Sequence, residues 1–272
     1  MSSLENLIIV RGGGDLATGT IYKLHQCGFP VLVLEIANPS AIRRNVSFSE
    51  AVYQRAQTVE GLTCTLASSI PEAEALLKAG KLTMLIDPAG ESIAYFHPLA
   101  VVDAILAKEN LGTRRDMAPI TVALGPGFTA GADVDAVVES KRGHNLGKVF
   151  YSGTAAPNTG IPGIIGGYGK ERVIHSPAAG VLRNAAKITD TVEKGQIIAY
   201  VETENGKVPV NATLTGLLRG LIRDGYPVPK GFKIADIDPR LDELGNCFTI
   251  SDKARCIAGG VLEAVLHLRA AL

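Results

Sequence analysis

Apolar residues in the first half of the chain fall in short unbroken runs, and between the runs they recur every three or four positions. The runs are LIIV at 7–10, VLVLE at 31–35, LTMLID at 82–87 and ITVALG at 120–125. Being apolar on both faces, they read as buried parallel strands. Helical spacing predicts helices over 15–27, 47–54, 70–78 and 98–109. Gly28, with Pro30 behind it, supplies the stop for the first of these. The alternation predicts an α/β fold built of βαβ units, a Rossmann-like parallel sheet domain over 1–168.

Near Val173 the pattern changes to short strands, and an internal repeat appears. Residues 180–201 align with 216–237 at an offset of 36 without a gap, and 8 of the 22 positions are identical. Each half carries a V-x-K-G turn, and ETENGKVPV joins them with Asn205-Gly206 as a hairpin signal. Two such halves predict a small β domain over 169–240 that resembles the biotinyl/lipoyl-like barrel-sandwich hybrid. The tip, Glu204-Asn205-Gly206-Lys207, lacks the flanking residues of a modified lysine, so Lys207 reads as a solvated charge. Residues 241–272 complete the chain, with a helix from Ser251 expected to pack on the first domain.

Charge narrows the partners. Lys plus Arg and Asp plus Glu number 27 each, giving zero net charge. That argues against nucleic acid and anionic membrane surfaces and for a small ligand or a protein partner, with a homo-oligomer left open. No basic leader or run of about 18 apolar residues is present, so a cytoplasmic location is expected. Cys27, Cys64, Cys247 and Cys256 lie far apart without a CxxC pair, which suits reduced thiols and predicts no metal centre.

The chemistry concentrates behind the first strand. Gly12, Gly13, Gly14, Asp15 and Ala17 fit G-x-G-x-x-G/A between a strand and a helix, with Glu35 ending the next strand. Such a loop presents backbone N–H groups and a helix N-terminus to a pyrophosphate, while Glu35 accepts from ribose hydroxyls. NAD(P) or a related nucleotide is the cofactor this implies. Asp15 opposes a phosphate unless it caps the helix. Asp87 and the Gly125-Pro126-Gly127 turn also follow strands, and ligands bind at that edge of an open parallel sheet. Arg43 and Arg44 could balance phosphate charge. For an NAD(P)-dependent oxidoreductase, the proton-transfer candidates are His97 and His144. Cys247, read as lying just ahead of the last helix, is a candidate reactive thiol. A carrier-type binding module is the remaining alternative.

The segments RGGGDLATG, AIRRNVSFSEAVY, IDP, VDAILAKENLGT, APITVALGPGFTAG, ESKRGHNLGKV, NTGIPG and ISDKARCIAGGVLEAVL together resemble the YqeB family, accessory proteins of the selenium-dependent molybdenum hydroxylase system. The N-terminal part is also similar to the Rossmann domain of XdhC-type maturation factors, which carry His where this chain has Asp15. The resemblance implies an accessory or maturation factor, with a molybdenum hydroxylase or its maturation proteins as partner and a molybdopterin nucleotide as a further candidate ligand.

Overall fold

The structure, a computed structural model, describes residues 4–160 and 163–272, so positions 161 and 162 of the NTGIPG segment lie outside the described residues. The chain divides into two compact units. One comprises Met1–Pro39, Ser47–Thr159 and Ile250–Leu272, the other Ser40–Val46 and Gly160–Thr249.

The first unit is built on nine strands: β1 (Ile8–Arg11), β2 (Val31–Glu35), β3 (Ala56–Val59), β4 (Leu62–Ala67), β5 (Leu82–Ile86), β6 (Ala100–Asp103), β7 (Ile120–Leu124), β9 (Ala136–Val138) and β10 (Val149–Phe150). They lie in the order β10-β9-β7-β6-β1-β2-β5-β4-β3. A separate two-stranded ribbon pairs β8 (Thr129–Ala130) with β11 (Gly153–Thr154). The helices are α1 (Asp15–Gln26), α2 (Ala51–Gln54), α3 (Ile70–Lys78), α4 (Ile93–Phe96) and α5 (Asp252–Arg269).

This topology corrects the fold class expected from the sequence, a Rossmann-like parallel sheet with a barrel-sandwich hybrid. The large sheet is mixed: β3 and β10 run antiparallel to β4 and β9 at its two margins. Strand β5 sits between β2 and β4, which interrupts the sequential order of a mononucleotide half. Between β6 and β10 the connections carry one short 3₁₀ turn and strand β8 of the small ribbon, with no regular helix among the described residues. The second unit forms two separate antiparallel four-stranded sheets in place of the hybrid.

Local causes account for the differences. Residues 98–109 have helical spacing, yet Ala100–Asp103 lie fully buried between β1 and β7, and strand pairing there outweighs propensity. The hairpin of β3 and β4 turns on Glu60 and Gly61, at φ 47° and 81°, the two positive values a tight two-residue turn requires. The helix expected over 47–54 is a 3₁₀ turn at Phe48–Glu50 followed by the single turn of α2.

Helix α3 has its start fixed by Ser69, whose side chain accepts from the Glu72 N–H. Its Ala73 and Leu77 pack with Ile9, Leu32, Leu34 and Val101 of the sheet. Helix α5, capped by Ser251, returns from the end of the chain to pack on α1, β7, β9 and β10. No helix among the described residues is long and apolar enough to cross a membrane.

In the second unit, β12 (Val173–His175), β19 (Lys233–Asp238), β17 (Gly216–Leu221) and β14 (Thr191–Val192) form one sheet in that order. The other holds β16 (Gly206–Asn211), β15 (Ile197–Thr203), β13 (Gly180–Asn184) and β18 (Pro227–Val228). The repeat is visible as a reciprocal exchange. Strand β14 of the first copy pairs with β17 of the second, and β18 of the second with β13 of the first. Gly180 and Gly216, equivalent in the repeat, are glycines for one reason: a Cβ at either would collide with a backbone carbonyl, of Glu202 and of Asp238. Lys207 stands on β16 across from Glu202 and pairs with it at 3.3 Å.

The contact of α1 with α5 yields a test. A Cβ on Gly19 would lie 2.8 Å from both the Cβ and the carbonyl oxygen of Ala254, whereas one on Gly259 meets nothing within 4 Å. Gly19→Val is expected to destabilise the protein by about 1–3 kcal/mol through overpacking. Gly259→Ala is expected to stabilise it by about 0.5–1 kcal/mol through restored helix propensity. Urea unfolding of the two variants beside wild type measures both, and equal midpoints would refute the packing account.

Candidate functional site

Strand β1 delivers the chain to Gly12, and three consecutive glycines carry it into α1. Two of them are explained by packing. Gly12 adopts φ +94°, and a Cβ there would sit 3.0 Å from the Ala104 carbonyl oxygen. A Cβ on Gly13 would lie 3.0 Å from the backbone nitrogen of Ser49 and from Cε of Met84. Gly14 differs. It has an ordinary φ of −64°, a side chain there would meet nothing within 4 Å, and it occupies the N-cap of α1 without a side-chain cap.

The turn is held from below. The Gly12 N–H donates to the Leu34 carbonyl at 2.7 Å, and the Ser49 N–H donates to the Gly13 carbonyl at 2.8 Å. The Thr18 hydroxyl donates to the Gly14 carbonyl at 2.9 Å and accepts from the Phe48 N–H at 3.0 Å. Glu35 accepts from the Gly13 N–H through Oε1 at 2.8 Å and from the Ile36 N–H through Oε2 at 2.7 Å. Burial raises its carboxyl above the usual range, and these two N–H groups only partly oppose that. The residue expected to meet a ribose thus holds the turn itself, with its remaining lone pairs available for a third bond. Asp15 occupies the first helical position, where its charge suits the helix dipole and competes with an incoming anion. Ala17 is fully buried.

Neighbouring strand ends complete the edge. Asp87 caps its own loop, accepting from the N–H groups of Gly90, Glu91 and Ser92 and from the Ser92 hydroxyl. Burial raises its carboxyl, but these bonds outweigh that and leave it below the usual range. At Gly127 a Cβ would lie 2.7 Å from the Glu109 backbone, and at Gly125 it would collide with the Ser140 hydroxyl. Close packing accounts for that turn. Isoleucines stand exposed where β6, β2 and β5 end: Ile105 at 36%, Ile36 at 45% and Ile86 at 42%. Given the sheet order, they bracket the glycine turn.

The other sequence candidates divide between the two units. Arg43 and Arg44 belong to the second unit, where they donate to the carbonyls of Asn246 and Thr249 and of Leu221. His97 ends α4 at φ 45°, ahead of β6, and so stands at the amino edge of the sheet, opposite the turn. His144 is exposed in the loop after β9, three strands from β1, about 14 Å at ordinary strand spacing. Cys247 precedes α5 in the chain, but it lies buried in a 3₁₀ turn of the second unit, and burial pushes its thiol up despite Arg219 and Arg43. Among the described residues, no group of three His, Cys, Asp or Glu is placed to hold a metal ion.

One feature escaped sequence reasoning. Arg11, immediately ahead of the glycines, is only 3% exposed. It donates to the Thr113 hydroxyl at 2.5 Å and to the Pro88 carbonyl at 3.0 Å. Thr113 in turn donates to Asp103 at 2.6 Å. Burial raises the Asp103 carboxyl, partly offset by Thr113, the Ile105 N–H and the Arg11 charge. Arginine at a strand end ordinarily reads as a surface charge, so its burial was not legible from residue type or spacing.

No protein-family model matches the chain. It is 51% identical over 264 residues to the uncharacterized protein YqeB of Escherichia coli (strain K12), a match covering 97% of this chain and 48% of that one. The likeness supports the YqeB family, and the chain spans about half the length of the curated relative it matches. Among solved structures, an aspartoacylase family protein of Mesorhizobium loti is 12% identical and aligns over 86% of this chain and 85% of its own, with a TM-score of 0.27. A succinylglutamate desuccinylase/aspartoacylase of Rhodobacter sphaeroides is 12% identical over 86% and 87%, also with a TM-score of 0.27. At that TM-score neither carries fold or chemistry to this chain.

Glu35 makes the edge sensitive to pH. Its folded carboxyl is raised above the ordinary value, so its contribution to stability is complete below that value and is lost as pH rises through the folded one. Relative to Glu35→Gln, wild type should therefore lose denaturant resistance as pH climbs from the ordinary glutamate value through the raised one. Urea midpoints across that window measure it; parallel curves for the two proteins would rule the assignment out.

Proposed function

We propose that the glycine turn holds a phosphate-bearing ligand of the nucleotide class, and that the chain presents this ligand to a partner without transforming it. The observation that carries the reading is Gly14. Backbone conformation and close contacts at 12, and close contacts at 13, favour glycine, but at 14 the fold requires neither the backbone freedom nor the room. What the missing side chain leaves is open space before an uncapped 12-residue helix, where first-turn N–H groups and the helix dipole favour an anion. The exposed isoleucines on either side suit a flat, weakly polar ring attached to the phosphate.

NAD(P) and a molybdopterin nucleotide both answer this description. The residues present fit such a group: Gly14 leaves room for phosphate, and Glu35 retains acceptor capacity for a sugar hydroxyl. The role of presenter has two supports. The two histidines read as proton-transfer candidates for hydride chemistry, His97 and His144, both stand away from the turn. The YqeB-type motifs point to an accessory factor for a molybdenum hydroxylase or its maturation proteins.

Calorimetric titration with NAD⁺ and with inorganic pyrophosphate tests the site. Gly14→Val should still fold, because its backbone angles suit any residue and its surroundings are open, losing about 1 kcal/mol at the N-cap, and should weaken binding at least 100-fold. Retained affinity in that variant would exclude the turn as the site. The presenting role predicts that a strain lacking the gene contains molybdenum hydroxylase polypeptide without its activity; normal activity there would remove that role.

A further inference from the structure

The segment between β6 and the Thr113 anchor is held against its own preference. Residues 104–111, AILAKENL, have the composition and spacing of a helix. They instead form an exposed strap in which Leu106 and Lys108 take left-handed φ values of 60° and 70°. Such values cost about 1–2 kcal/mol each for residues with a Cβ. The strap is also close to the glycine turn, since a Cβ on Gly12 would lie 3.1 Å from Cα of Ile105.

Its two ends meet at one buried chain of hydrogen bonds. Asp103, at the start, accepts from the Ile105 N–H through Oδ1 at 3.1 Å and from the Thr113 hydroxyl through Oδ2 at 2.6 Å. Thr113, at the far end, accepts from Arg11. The Arg11 carbonyl takes the Ala104 N–H at 2.9 Å, and its second guanidinium nitrogen reaches Pro88 in the loop after β5. One guanidinium thus ties the loops after β5 and β6 to the residue that opens the turn.

We infer that Arg11, Thr113 and Asp103 form a positioning latch, which keeps the 104–113 strap in its strained course and thereby fixes the glycine turn for its ligand. The inference rests on the reading of Gly12–Gly14 as a ligand site. None of the three is a catalytic residue: each acts through the backbone it holds. The latch is selective in its chemistry, because the middle position needs a hydroxyl that accepts from a cation and donates to a carboxylate at once.

Thr113→Val keeps the side-chain shape and removes the hydroxyl, whereas Thr113→Ser restores it. Hydrogen exchange of the full chain reads the strap, and titration with NAD⁺ and pyrophosphate reads the turn. In Thr113→Val, amides of 104–112 should exchange at least ten times faster while those of β2 keep their wild-type rates, and affinity for the probe that wild type binds should fall at least tenfold. Thr113→Ser should recover both. Should Thr113→Val fail to fold, Lys108→Gly takes its place: it relieves a left-handed residue on the surface and should slow strap exchange. Unchanged or faster exchange in Lys108→Gly would overturn the strained latch. Strap exchange unaltered in Thr113→Val would overturn it too, whatever the ligand result. Faster exchange with undiminished affinity would overturn the positioning role and leave the proposed site standing. Absence of binding of either probe to wild type would remove that site and the positioning role with it.

Discussion

Backbone packed directly on backbone is the constraint on which the first unit depends. Gly13 lies tightly against Ser49, and Gly19 against Ala254 and Gly260 against Gly147 at separations that leave no space for a Cβ. These contacts bring α5 against α1 and the β9–β10 loop, and bring the 48–50 turn beneath the glycine loop. A methyl group at such a position must displace main chain, which yields far less readily than the tip of a side chain. Gly14, which has open space where its side chain would be, is conspicuous because its neighbours are so tightly committed.

Electrostatics at the same edge follows a consistent rule. Glu35, Asp87 and Asp103 are the carboxylates that strands β2, β5 and β6 bring there, and each receives hydrogen bonds from the protein's own N–H or hydroxyl groups. Acceptors engaged in this way shape loops and repel an approaching anion less than free carboxylates would. Asp15 stands in the first turn of α1. Any phosphate at Gly14 shares that helix end with it, which favours a ligand that brings a cation or contacts beyond the phosphate.

Legibility in the sequence varied with physical cause. Strands β1, β2, β5 and β7 were readable because burial on both faces leaves continuous apolar runs, and α3 and α5 because Ser69 and Ser251 signal their starts. The 98–109 stretch misled because its spacing is helical while its placement, between β1 and β7, is decided by contacts distant in sequence. The parallel-sheet expectation failed at the margins, where β3 is held by a Glu60-Gly61 turn with a weak signal and β10 is only two residues long. At the site, the glycine pattern located the turn and Glu35, but the role of Glu35 depends on which way its oxygens face, and Arg11 depends on a partner 102 positions away.

The crossing of β14 and β18 between the two copies of the repeat bears on how that unit arose. Neither copy completes a sheet from its own residues, since each lends a two-residue strand to the other and receives one back. An isolated half would leave strand edges and part of the shared apolar interior uncovered. It could satisfy them only by engaging a second, identical half through the same exchange. Duplication and fusion of a gene for a symmetric dimer of such halves would preserve these pairings while tethering them through the β15–β16 hairpin. Sequence divergence between the copies is then limited chiefly at positions such as Gly180 and Gly216, where both halves face the same steric demand.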